Sequence, residues 1–286
     1  MHPAWRLLIF LAIVAACIYS TNLALAWLLP HADDTTLFLI RDAKDLLIFL
    51  FASWIMGRIE HRTIADYGLP WRRMFRLEFW KGCLAGFAAI TGLLVLLRAC
   101  GAFAFGGVAL HGAGILLWAV IYALVFVLVA VREEFRNRGY GLVALTAIVG
   151  FWPAAIVTSA FFGLSHLSNR GENWLGASNA ALFGLLMCLV LRRTGNLWMP
   201  IGFHVAFDWG ETYFYGVADS GQVSPGHLLS TTASGPAWLA GGTVGPEGSV
   251  VCTLLIVILW LLFAWRLRPT PRPTPSDPPP LPAPSA

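Results

Sequence analysis

Eight long, unbroken apolar runs decide what this chain can fold into. They lie near residues 7–29, 37–57, 79–97, 113–132, 152–167, 176–191, 197–217 and 250–265. An α-helix needs about 20 apolar residues to cross the hydrocarbon of a bilayer, and most of the runs approach that length. They are continuous and do not alternate with polar residues, so they read as helices and not as barrel strands. Of the 286 residues, 58% are hydrophobic and only 12% are charged, where a water-soluble domain usually carries about 25% charged residues. A core of this size cannot hide so much apolar surface, so lipid has to be the solvent. The expected fold is an all-α polytopic membrane protein with about eight transmembrane helices and a polar cavity inside the bundle.

Charge predicts orientation. The segment between the second and third runs holds Arg58, Arg62, Arg72, Arg73, Arg76 and Lys81. Arg192 and Arg193 precede the seventh run, and Arg266, Arg268 and Arg272 follow the last. The opposite loops are poor in basic residues, and 218–249 contains no Lys or Arg. Basic loops stay on the cytoplasmic side, which predicts cytoplasmic termini and an even number of spans. The net charge of +4 therefore reflects membrane topology and gives no case for nucleic-acid binding. The first run resembles a signal peptide but runs past twenty residues to Pro30, so an uncleaved first helix is expected. All five cysteines lie in or at the ends of apolar runs without CxxC spacing and read as buried free thiols.

Ionisable residues inside apolar spans are costly and point to function. Three clusters qualify. The first is Arg132-Glu-Glu-Phe-Arg-Asn-Arg138, the second ends in Phe162-Gly-Leu-Ser-His166, and the third runs from His204 through Asp208 to Glu211. On a helix Glu134 can pair with Arg138, and Glu133 with Asn137. Glu133 and Glu134 point about 100° apart and should have different partners. His204, Asp208 and Glu211 share one helical face, with Glu211 read as lining a cavity or an interface. Gly150–Pro153 is the turn signal between the first two clusters. Glu133 lies seventeen residues before Gly150 and His166 sixteen after it, so a hairpin turning there brings them to the same depth. His204 enters from the basic side by about 12 Å. The expected pocket thus holds Glu133, His166 and His204 and opens toward the cytoplasmic half.

A carboxylate there can take a proton from water. The histidines can donate to a developing oxyanion, with Asp208 orienting His204. One Glu, two His and an Asp would also suit zinc with an open position, although no HExxH is present. Either route is water-mediated hydrolysis of an amide below the membrane surface.

The order Glu133-Glu-Phe-Arg-Asn-Arg138, Phe162-Gly-Leu-Ser-His166 and His204-Val-Ala-Phe-Asp208 resembles the CPBP (ABI) family of intramembrane proteases. That family includes CAAX prenyl endopeptidases and bacteriocin-processing relatives. The resemblance covers about 113–217 and implies a role for each motif residue. Glu133 would activate water beside His166, and His204 with Asp208 would stabilise the oxyanion or bind a metal. Glu134 and Arg138 would support the base, with Phe162 part of the second motif. The implied partners are the bilayer and a peptide or lipid-modified protein entering from the membrane. The implied location is a bacterial inner membrane.

The remaining features read plainly. Residues 1–112 form N-terminal helices with a basic cytoplasmic loop, 113–217 the catalytic core, and 218–266 an extracytoplasmic loop with the last helix. Residues 267–286 form a proline-rich, disordered tail. Arg41, Asp42, Lys44 and Asp45 pair locally along their helix, and Gly241–Gly248 forms a close-packed turn. The rival to a peptidase is a non-proteolytic membrane scaffold or immunity-type protein; a proton-relay transporter should show repeat symmetry, which the sequence lacks.

Overall fold

The computed structural model describes residues 2–169 and 171–267; the proline-rich tail lies outside them. The chain forms a helical bundle in the order α1 (Pro3–Leu28), α2 (Asp34–Glu60), α3 (Leu77–Ala99), α4 (Ala113–Arg138), α5 (Tyr140–Val149), α6 (Phe151–His166), α7 (Trp174–Thr194) and α8 (Trp198–Trp209). A π-helical turn, Gly210–Tyr215, continues α8, and the short α9 (Ala237–Ala240) precedes α10 (Val250–Arg266). Helix ends follow local chemistry. Asn173 caps α7 by accepting from the backbone N–H of Leu175 and Gly176, and Ser249 caps α10 by accepting from Cys252.

Four stretches are long and apolar enough to cross a membrane, namely Pro3–Leu28, Leu77–Ala99, Ala113–Val149 and Trp174–Thr194. The apolar α10 is shorter, as are α6 and α8, while α2 carries Arg41, Asp42, Lys44 and Asp45 near its start. Large apolar side chains such as Leu84, Leu116, Leu124 and Leu261 stand exposed on the outside of these helices, as expected of a lipid-facing surface.

The helices that carry the polar residues are held by close backbone packing. A Cβ at Gly82 would meet Met199 O at 2.2 Å, and one at Gly202 would meet Phe79 O at 2.1 Å. Glycine at both faces lets α3 and α8 touch backbone to backbone, the usual device where lipid removes the hydrophobic drive between helices. The turn at Gly150, with φ of 82°, reverses the chain as expected from the sequence. Arg138, twelve residues before it, lies over the ring of Phe162, twelve after it, at 5.2 Å. The hairpin is not one continuous rod, because the helix breaks at Gly139 and restarts as α5.

Three local readings change. A two-stranded antiparallel sheet, β1 (Phe103–Val108) with β2 (Leu229–Ala233), joins two loops that the sequence did not mark as strands. Cys100 is exposed, whereas Cys188 and Cys252 are buried. The acidic and basic residues early in α2 do not simply pair along their own helix. Lys44 does contact its neighbour Asp45, at 3.1 Å, but it also donates to Asn22 on α1, and Asp42 reaches Arg132 on α4 at 3.2 Å. The glycine-rich segment is the expected tight turn, since a Cβ at Gly241 would overlap Gly245 O.

Candidate active site

The polar residues converge where α4, α6 and α8 face one another. His204 is buried, and each of its ring nitrogens faces carboxylate. Nδ1 lies 3.1 Å from Glu134 Oε1, while Nε2 lies 3.4 Å from Asp208 Oδ2 and 3.7 Å from Glu133 Oε2. Glu134 is fully buried and pairs with Arg138 at 2.7 Å, and Arg138 Nε donates to the carbonyl of Gly184 on α7. The Glu134–Arg138 pair thus ties α4 to α7 and fixes the His204 ring in one orientation. The two glutamates differ as expected, since Glu134 is sealed and Glu133 remains partly accessible at 16%.

Glu133 does not pair with the side chain of Asn137. Asn137 Nδ2 donates instead to the backbone carbonyl of Glu133, one turn back, and the carboxylate is held by Arg132 at 2.8 Å. The same Arg132 nitrogen reaches Asp42, so an Asp42–Arg132–Glu133 chain runs from α2 to the site. The sequence placed Arg132 in the first cluster and Asp42 in a local pairing, but not the contact between them. Their only signal was two charges at membrane depth on separate helices, whose facing depends on helix rotation.

His166 lines the same cavity as Glu133, His204 and Asp208. Its Nδ1 lies 2.8 Å from the carbonyl of Phe162, which in the neutral ring places the proton on Nδ1 and leaves Nε2 as an acceptor. Phe162 meets the ring edge-on at 4.5 Å. The cavity measures about 200 Å³ and has apolar walls that include Tyr122, Phe126, Phe183 and Phe207.

The direction of this cavity corrects the sequence reading. Its polar lining runs from Glu133 to Asn169, Glu172, Asp219, Gln222, Ser224 and Glu247, away from the basic loops. The basic end is filled. Leu197 N–H bonds Gly68 O, the Trp198 indole bonds Pro70 O, and Tyr67, Leu69, Leu197 and Trp198 are all buried. Counting residues from Arg193 gave a depth but could not show that the 63–76 loop packs across that end. At the acidic end, Asp219 is pushed up to about 7 by burial and by the neighbouring Glu247.

The zinc expectation turns on donor geometry. His204 Nδ1 is committed to Glu134, and Glu133, His166, His204 and Asp208 do not bring three ligand atoms within 4.8 Å of one another. As arranged they do not fit a zinc set, and no step below is routed through a metal.

Residues 114–210 match the family model described as Type II CAAX prenyl endopeptidase Rce1-like. This stretch is an Rce1-like domain. Together with its apolar helices this makes the chain an integral membrane protein, with the likeness to a protease family confined to residues 114–210. All of the motif residues from Glu133 to Asp208 fall inside the Rce1-like domain, and Glu211, Asp219 and Glu247 fall outside it. No curated protein and no solved structure matches the chain.

Proposed function

We propose that the chain is an intramembrane endopeptidase in which Glu133 activates water and His204 stabilises the oxyanion. One observation carries this reading: His204 Nε2 lies within 3.7 Å of Glu133 and 3.4 Å of Asp208, with Nδ1 anchored on the buried Glu134. A water held between Glu133 and His166 gives its proton to the Glu133 carboxylate as its oxygen attacks the scissile carbonyl. The carbonyl electrons move onto oxygen, and His204 in its imidazolium form donates from Nε2 to that oxyanion, since Nδ1 already donates to Glu134. Collapse of the intermediate breaks the C–N bond, and Glu133 returns the proton to the leaving amine. Asp208 balances the imidazolium, and Arg132 holds Glu133 in place.

The substrate that fits is a membrane-borne peptide segment with an apolar or lipid-modified flank, of the kind that the CAAX family name implies. Its apolar part would lie along Tyr122, Phe126 and Phe207, and the scissile bond would enter from the end opposite the basic loops. The test is cleavage of a quenched prenylated peptide and a panel of single-span proteins by detergent-purified protein. Glu133→Gln and His204→Ala should lower turnover about a hundredfold or more, as loss of a general base or an oxyanion donor does, and His166→Ala should lower it less. Unchanged turnover in all three variants would sink the mechanism. A wild type inert on every substrate would favour the scaffold reading.

A further inference from the structure

At the acidic end of the cavity, outside the Rce1-like domain, three carboxylates from separate segments meet. Glu211 sits in the π-helical turn after α8, Asp219 in the following loop, and Glu247 just before α10. One oxygen from each lies within 4.8 Å of the others. Acidic residues crowd together in many proteins, and the crowding alone says little. Glu211 adds an independent observation. It has no exposed surface, and neither of its carboxylate oxygens has a hydrogen-bond partner among the described residues. A buried carboxylate with both oxygens unsatisfied is costly unless something positive sits against it.

The other two carboxylates are held in place on one side. Thr212 Oγ1 donates to Asp219 Oδ2 at 3.0 Å. Ser220 donates to Glu247 Oε2 through its backbone N–H at 3.1 Å and its hydroxyl at 2.9 Å. Each keeps a second carboxylate oxygen that these bonds do not use. No arginine, lysine or histidine is paired with any of the three among the described residues. The donor set is entirely oxygen, which suits hard cations and disfavours zinc or copper. Oxygen atoms bound to one such ion at 2.3–2.6 Å stand roughly 3–5 Å apart, and the three oxygens here lie within 4.8 Å of one another.

We propose that Glu211, Asp219 and Glu247 form a binding site for a hard divalent cation, calcium or magnesium. The ion ties both ends of the 216–249 loop to the end of α8. Because Asp219 and Glu247 also line the cavity, it sets the shape of the entrance. This site is separate from the His204 cluster and stands whether or not the chain is a peptidase.

The experiment uses full-length protein in detergent, stripped with EDTA and then titrated with calcium chloride or magnesium chloride. Binding is read by calorimetry and by the melting temperature. The expected result is saturable binding of one ion per chain with a rise in melting temperature. Glu211→Gln and Asp219→Asn should each weaken that binding tenfold or more. Glu133→Gln should leave it within twofold. If one acidic variant fails to fold, Glu247→Gln carries the same comparison. Three outcomes overturn the proposal: no saturable binding of either ion, binding untouched by the Glu211 and Asp219 variants, or binding lost in Glu133→Gln. The first of these, joined to a Glu211→Gln protein that melts at or above wild type, shows instead that Glu211 is held as the neutral acid.

Discussion

His204 is the residue on which the candidate site turns, and its surroundings assign different work to adjacent glutamates. Glu134, sealed against Arg138, fixes the ring, and Glu133, on the partly open side, is left to meet water. Arg138→Met should cost about 3 kcal/mol or more, because it strands a buried carboxylate. Chemical denaturation of the detergent-solubilised protein would measure that cost. The double variant Glu134→Leu with Arg138→Met should recover much of the lost stability without recovering turnover, because His204 is then unanchored. Recovery of activity in the double variant would remove Glu134 from the site. Asp42→Asn should lower turnover with little loss of stability, since it loosens Arg132 and through it Glu133. The residues within one motif were legible in the sequence because spacing along a helix states which side chains share a face. Arg132 with Asp42 was not legible. Their contact joins positions ninety residues apart and depends on the rotation of two helices.

At the scale of elements, the site depends on two pieces of backbone geometry. The hairpin around Gly150 was readable, because equal distances along two antiparallel helices give equal depth, and Arg138 over Phe162 records that symmetry. The α3–α8 contact was not readable in the same way. Gly82, Gly86 and Gly202 are three of the chain's 28 glycines, and nothing in their spacing names a partner helix. Their role appears only once Phe79 O and Phe203 O are seen against them. Gly202→Val should push α8 from α3 and cost about 1–3 kcal/mol, the usual penalty for overpacking. It should also reduce turnover, since His204 sits two residues on. A melting curve and an activity assay on the same preparation check both, and a fully active, fully stable Gly202→Val protein would show the contact to be loose.

At the scale of the whole molecule, polarity sorts to two ends. Basic residues gather where the 63–76 loop closes the bundle, and the acidic and amide residues of the cavity gather at the other. Hydropathy made the lipid-embedded character plain, but it reports only how apolar a segment is. It carries no information on which end of the bundle is plugged, so it did not place the cavity's acidic and amide lining at the end opposite the basic loops. If the basic end is cytoplasmic, a cysteine at Gln222 in a Cys100→Ser background should react with an impermeant thiol reagent in intact cells. A cysteine at Arg72 should react only after permeabilisation, and the opposite pattern would invert the orientation. The buried stopper of Tyr67, Leu69 and Trp198 has a consequence for turnover. If the chain cleaves peptides as proposed, a cavity closed at its basic end would release both fragments on the side by which the substrate entered.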